Sequence, residues 1–232
     1  MRIGENLFNL FRKKPKELSK EAFELNNKGS EFFQNNNPNK ALECYNKAIE
    51  LESNNADSYY NRGTVYSSLG DYKRAVEDFN IAISYLPKDE YCYWARVKCH
   101  IKLKNWKNVI KDYSTIVKLN PDSIIAHKER GDAYYKLGKY REAINDYTEV
   151  IAKSAVSAHS YYYRGCANNY LKRYSDAIYD FNKTIELRGS FDDDPYLPWV
   201  GLASVYTKLG QSEKAQECIE KAKENGYNQK SK

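Results

Sequence analysis

The sequence predicts an all-α solenoid of six helix–turn–helix hairpins, and three observations predict it. Gly29, Gly63, Gly131 and Gly165 recur at a spacing of 34 residues or twice that. A small residue follows each glycine by about twelve positions, at Ala41, Ala75, Ala143 and Ala177, and four residues later comes an aromatic, at Tyr45, Phe79, Tyr147 and Phe181. Within one unit the apolar residues fall at helical spacing, Tyr59, Gly63, Tyr66 and Leu69 before Gly70, then Tyr72, Ala75, Val76, Phe79, Ala82 and Ile83 after it. A period of this length marks an array whose units bury their apolar faces only by stacking on neighbours. The 232 residues therefore read as one continuous stack and not as two ordinary domains.

Residues 1–21 precede the array. Ile3, Leu7, Leu10 and Phe11 share a helical face with Phe8 beside it, and Arg12, Lys13, Lys14, Pro15 and Lys16 follow directly. An apolar stripe with a basic cluster suits attachment to an anionic membrane surface. The same residues also suit a partner-dependent tail, or docking against the first hairpin or into the groove of another copy. The segment is too short for a signal peptide, and Arg2 excludes N-myristoylation.

The hairpins then run 22–55, 56–89, 90–123, 124–157, 158–191 and 196–229, with 230–232 as a tail. In 56–89, Gly70 suits the left-handed residue that ends a first helix, Asp71 caps the second, and Pro87 stops it. The Gly and Ala slots let two antiparallel helices approach closely. The third hairpin departs most: Val97 and Val109 occupy the close-contact slots and His100 replaces a Tyr, which predicts a wider helix separation there. The spacing breaks at Asp192-Asp193-Asp194-Pro195, where Asp194 reads as an N-cap with Pro195 as the first helical residue. The last helix, from Ser212 to Asn225, is rich in Lys, Glu and Gln, ends at Gly226 and can close the stack.

These residues resemble the tetratricopeptide repeat family. Tyr59, Gly63, Tyr66, Ala75, Phe79, Ala82 and Pro87 keep nearly all of its signature, and partial copies recur at Gly29, Phe32, Ala41, Tyr45 and Ala48, at Gly131, Tyr134, Ala143 and Tyr147, and at Tyr161, Gly165, Ala177 and Phe181. In the fifth hairpin Asn168 stands where Tyr is usual, while Trp199, Leu202, Ala203, Tyr206, Ala215 and Ala222 carry the sixth. The resemblance implies a right-handed superhelix whose inner wall is formed by the first helix of each pair. It places Tyr60, Asn61, Tyr91, Trp94, Lys98, Lys128, Tyr135, Tyr162, Tyr163 and Tyr170 on one concave, partner-binding surface. Family members that grip chaperone carboxyl termini use a Lys, Asn and Arg clamp. Here only Asn61 fits it, with Asn26, Ser30, Tyr91 and Ala95 at the other four positions. A partner held mainly by aromatic contacts, with an acidic stretch near Lys98, Lys102 and Lys128, is the expectation.

A charge register accompanies the repeat. Arg62, Arg96, Arg130 and Arg164 each have an Asp sixteen residues on, at Asp78, Asp112, Asp146 and Asp180, whereas the end hairpins carry Lys28 with Cys44 and Leu202 with Cys218. Pairing within a hairpin satisfies all four Arg, which predicts partly buried ion pairs fixing hairpin geometry.

Composition narrows the function. Net charge is +6, but the first 21 residues hold six basic residues against Glu5, Glu17 and Glu21, so the body is only mildly basic and a nucleic-acid interface is not expected. Mean hydropathy is −0.82, and no apolar stretch approaches the length of a spanning helix. Cys44, Cys92, Cys99, Cys166 and Cys218 form no CxxC pair and read as reduced thiols of a cytoplasmic protein. No P-loop, dinucleotide fingerprint, HExxH or nucleophile elbow is present. His100 and His127 take aromatic slots and read as packing residues, and Cys99 beside His100 is no dyad, because adjacent helical residues point apart. The reading is a non-catalytic adaptor or scaffold, without cofactor or metal, that binds a protein or peptide segment in its groove. The alternative is a membrane-tethered assembly factor using the N-terminal segment, and self-association remains open.

Overall fold

The computed structural model describes residues 20–187 and 194–228. The N-terminal expectation on Ile3, Leu7, Phe8, Leu10, Phe11, Arg12, Lys13 and Lys14 lies outside the described residues, as do Asp192 and Asp193. The described residues form twelve helices and no strand. They divide into two compact units, Met1–Lys104 and Asn105–Lys232. None of the helices is long and apolar enough to cross a membrane.

The first unit holds α1 (Lys20–Gln34), α2 (Pro38–Leu51), α3 (Ala56–Ser68), α4 (Tyr72–Tyr85) and α5 (Glu90–Lys102). Each helix packs on the next in sequence, and α3 also touches α1 and α5, so the first helices of successive hairpins lie side by side. The second unit holds α6 (Trp106–Leu119), α7 (Ile124–Lys136), α8 (Tyr140–Lys153), α9 (Ala158–Tyr170), α10 (Tyr174–Glu186), α11 (Leu197–Lys208) and α12 (Ser212–Glu224). There α9 touches α7 and α11 in addition to its sequence neighbours. Each unit therefore has the layered packing of a helical solenoid, in which each helix pair completes the core of its neighbour.

The helix ends follow from local chemistry. Asn37, Asn55, Asp71, Asp89, Asn105, Ser123 and Ser157 each accept a backbone N–H of the first turn of the helix they precede. Between paired helices the chain turns through a left-handed residue. Gly70, Gly138 and Gly210 take that place at φ 82°, 70° and 72°, and Asn36, Lys104 and Lys172 take it at 56°, 55° and 60°. Pro87 follows α4, as the sequence implied.

The glycine slot has a direct steric cause. A Cβ on Gly63 would stand 3.0 Å from Phe79 Cε1, and one on Gly165 would stand 3.1 Å from Phe181 Cε1, so the first helix lies against the aromatic of its own partner helix. Tyr45, Phe79, Tyr147 and Phe181 are almost completely buried at these crossings. Each such ring contributes several kcal/mol to the fold on the usual scale of about 1.5–3 kcal/mol per large apolar side chain.

The arginine register is a bidentate ladder. Arg62 Nε and Nη2 donate to Asp78 at 2.9 and 2.7 Å, Arg130 to Asp146 at 2.8 and 2.6 Å, and Arg164 Nη2 to Asp180 at 2.7 Å. The third edge of each guanidinium reaches back to the previous hairpin, which the sequence reading missed. Nη1 of Arg62, Arg96, Arg130 and Arg164 donates to Asn46, Asn80, Ser114 and Thr148 respectively. One arginine thus closes a hairpin and ties it to its neighbour.

The structure corrects two expectations. The sixth hairpin starts later than its acidic run suggested: α11 begins at Leu197, Tyr196 is its N-cap, and Pro198 rather than Pro195 sits in the first turn. Asp194 instead accepts the Tyr196 hydroxyl at 2.8 Å, and its carbonyl accepts the Leu197 N–H. The hydroxyl competes for the carboxylate that a cap requires. His127 is also more than filler. Its Nδ1 lies 3.1 Å from Asp146 Oδ1 and its Nε2 lies 3.1 Å from the Pro121 carbonyl. The second contact repeats the Tyr93 hydroxyl bond to the Pro87 carbonyl one hairpin earlier.

Candidate functional site

The predicted partner residues occupy the first helices, and each unit carries its own set. In the first unit Tyr60, Asn61, Tyr91, Trp94 and Lys98 lie on α3 and α5. Tyr60 is half-buried with its ring 5.7 Å from that of Phe79, so the core fixes its position. Asn61 Nδ2 donates to Asn26 Oδ1 at 3.1 Å, and Ser58 Oγ donates to the same oxygen at 3.3 Å. These bonds join the faces of α1 and α3. Tyr91 and Lys98 are exposed and Trp94 is half-buried.

In the second unit the structure brings Tyr135, Tyr162, Tyr163 and Tyr170 into one aromatic cluster across α7 and α9. The Tyr135 ring meets Tyr163 edge-on at 5.4 Å and lies 6.4 Å from Tyr170. Tyr162 and Tyr163 meet edge-on at 5.1 Å, and Tyr162 rests against Phe181 at 5.9 Å. Two members escaped the sequence reading. Tyr140, at the start of α8, stacks on Tyr170 with centroids 4.5 Å apart and planes 2° from parallel. His159 lies 4.5 Å from the Tyr163 ring. Edge-to-face and offset contacts of this kind hold rings rigidly at little entropic cost, which suits a preformed recognition surface. Tyr170 keeps 61% of its surface in solvent although it belongs to the cluster.

Cys166 sits behind this wall, where Tyr162 and Tyr135 hydroxyls donate toward its sulfur. Burial raises its pKa to about 11, and the two hydroxyls counter only part of that. Burial likewise raises the pKa of Tyr135 and Tyr162, so both remain neutral phenols.

A polar group borders the rings. Lys128 Nζ stands 3.2 Å from Glu129 Oε1 and 3.6 Å from Asp132 Oδ2, while the Tyr147 hydroxyl donates to Asp132 Oδ1 at 2.7 Å. His159 Nε2 lies 3.6 Å from Asp132 Oδ2. Burial works against the Lys128 charge, but Asp132 and Glu129 outweigh it and raise the Lys128 pKa. The Lys128 charge is thus offset from within. Its acidic neighbours were legible in principle, because Asp132 and Cys166 repeat the slot of Lys98 at the 34-residue spacing, and Glu129 repeats that of Asn61. Further along, Asn169 accepts from Lys208 and donates to Ser204, which links α9 to α11.

Comparison with known proteins places this geometry. A TPR repeat model matches residues 29–70, and tetratricopeptide repeat models match 56–89, 128–195 and 198–225. The matches leave out the whole of the third hairpin, where Val97, His100 and Val109 depart from the repeat pattern. No curated protein matches the sequence. Among solved structures, MamA is similar at 20% identity over 73% of this chain and 91% of that chain, with a TM-score of 0.66. YrrB, described as a TPR protein with an unusual peptide-binding site, is similar at 23% identity over 81% of this chain and 92% of that chain, with a TM-score of 0.65. A tetratricopeptide repeat protein from Parabacteroides merdae ATCC 43184 is similar at 20% identity over 90% of this chain and 80% of that chain, with a TM-score of 0.54. At these identities the likeness is one of fold.

Proposed function

The chain belongs to the tetratricopeptide repeat family, and on that premise we propose that it is a non-catalytic adaptor whose first-helix faces bind a protein or peptide segment. The observation that carries the proposal is the cluster of Tyr135, Tyr140, Tyr162, Tyr163 and Tyr170, held by one another's rings and still reaching solvent at Tyr170. Interior packing alone does not call for a stacked tyrosine pair with one ring exposed. Rigid tyrosines supply large contact area at low entropic cost, the usual character of binding hot spots. The peptide-binding site ascribed to YrrB, on a similar scaffold, supports the same use of this one. On the first unit, Tyr60, Asn61, Tyr91, Trp94 and Lys98 form a second contact face of the same kind. Membrane tethering through residues 1–21 draws no support from the described residues.

The test is affinity capture from native lysate with the full chain, comparing wild type with Tyr163→Ala/Tyr170→Ala and with Tyr179→Ala. Tyr179 is also exposed but lies on α10, outside the cluster. Circular dichroism confirms the fold of each variant. Partners retained by wild type and Tyr179→Ala and lost by the double variant support the proposal. Partners kept undiminished by the folded double variant exclude this wall as the dominant site.

A further inference from the structure

Resting on that reading, the second unit also indicates what the partner must carry. On α7 a single ammonium, Lys128, serves two carboxylates, Glu129 and Asp132. The side chains of Glu129 and Asp132 keep 36% and 24% of their surface in solvent, so both can be reached by a guest. Asp132 Oδ1 is filled by the Tyr147 hydroxyl, and its Oδ2 lies 3.6 Å from Lys128 Nζ and 3.6 Å from His159 Nε2. One ammonium thus faces two carboxylates on this helix, with the His159 ring beside the second of them. Tyr163 and Tyr135 stand beside it, and the face of a tyrosine ring is itself electron-rich.

The two arginines on the first helices beside this group, Arg130 on α7 and Arg164 on α9, do not supply the missing cation. Arg130 and Arg164 are spent on Asp146 and Asp180 inside their hairpins. An acidic guest, which the Lys98, Lys102 and Lys128 triad suggested at the level of sequence, would meet Lys128 already neutralised and two carboxylates beside it. A planar guanidinium satisfies every group at once. It bonds a carboxylate along its edge and stacks its face on a ring.

We propose that the wall of the second unit recognises an arginine side chain of the partner segment, held by Asp132 and Glu129 and flanked by Tyr163 and Tyr135. Carboxylates and rings then set specificity, while the remaining tyrosines contribute sequence-tolerant contact area.

The experiment uses the full chain and three fluorescein-labelled dodecapeptides that share the same Leu, Phe and Gly residues and differ only in four variable positions, all Arg, all Gln or all Glu. Anisotropy titrations at moderate salt are repeated on Glu129→Gln/Asp132→Asn and on Tyr163→Ala. Asp132→Asn keeps an acceptor for the Tyr147 hydroxyl, so the fold is preserved. The Arg peptide is expected to bind about tenfold more tightly than the Gln peptide, the preference of a charge pair assisted by a ring. In Glu129→Gln/Asp132→Asn that preference falls to within about twofold. Preference for the Glu or Gln peptide, an Arg preference that survives the charge variant, or no binding of the Arg peptide overturns the assignment. If the overturning peptide loses binding in Tyr163→Ala, the wall remains the partner site and only its charge reading fails. If binding ignores Tyr163→Ala, the functional reading fails with it.

Discussion

Arg130 meets Asp146 edge to edge, with Nε 2.8 Å from one carboxylate oxygen and Nη2 2.6 Å from the other, and the carboxylate is 2% exposed. The same oxygen faces His127 Nδ1, so α7 contributes two side chains to one acid on α8. Removing the acid leaves a guanidinium half-buried and without its partner. Asp146→Ala is expected to cost about 3–5 kcal/mol by urea denaturation, with Asp146→Asn intermediate. Arg74→Ala, which breaks a solvent-exposed pair with Asp71, leaves the midpoint nearly unchanged. Equal effects of the two alanine variants contradict the ladder's structural role.

Gly201 fits under Phe181 only because it lacks a Cβ, which would stand 2.6 Å from Phe181 Cζ and 2.7 Å from Cε1. This contact joins α10 to α11 and so couples successive hairpins. Gly201→Ala is expected to destabilise by about 1–3 kcal/mol through overpacking. Pairing it with Phe181→Leu, which removes the clashing ring edge, costs less than the sum of the two single changes. Strict additivity in thermal denaturation contradicts the close approach.

Lys172 is exposed at φ 60°, where Gly70, Gly138 and Gly210 stand in other hairpins. Its side chain is replaceable and its backbone conformation disfavours a Cβ by about 1–2 kcal/mol. Lys172→Gly is therefore expected to stabilise by about 0.5–1 kcal/mol after glycine's greater chain entropy is subtracted. A lower melting temperature contradicts the left-handed assignment.

Cys166 is half-buried, and desolvation of its sulfur holds it as a thiol, with a pKa of about 11 against an ordinary value of 9.0. At pH 8 its alkylation by iodoacetamide, followed by peptide mass spectrometry, is expected to be more than about tenfold slower in the folded chain than in urea. The linkage has a definite sign. The folded thiol resists ionisation more than the unfolded one, so its stabilising contribution is whole below about pH 9 and is lost as pH rises toward about 11. Relative to Cys166→Ala, wild type loses stability across that window by at most about 1.4 kcal/mol per pH unit. Fast alkylation at pH 8 in the native state contradicts the raised pKa.

The hairpins were legible because their logic is local and repeated. Gly63 against Phe79, the Asp71 cap and the Arg62–Asp78 pair recur in fixed register, and identity at a fixed spacing is what a sequence displays. The second anchor of each arginine was hidden, since Asn46, Asn80, Ser114 and Thr148 share only the ability to accept one hydrogen bond. The start of α11 was misplaced where an insertion removed the register and Asp194-Pro195 imitated a cap, while the helix in fact opens at Leu197 with Pro198 in its first turn. On the candidate wall, the tyrosines of α7 and α9 were found through the repeat, but Tyr140 belongs to a second helix and enters by stacking on Tyr170. Glu129 and Asp132 were passed over because a search for aromatic and basic groups does not weigh what neutralises Lys128.

The central claim is that the tyrosine wall of the second unit is where another chain sits. Its most direct measurement places a photo-crosslinking benzoylphenylalanine at Tyr170 or, in parallel, at Tyr179, both more than half exposed, and irradiates each full-length protein in native lysate. Discrete crosslinked partners are expected from position 170, suppressed by Tyr163→Ala, and none of them from position 179. The same partners captured from 179 and not from 170 would contradict it.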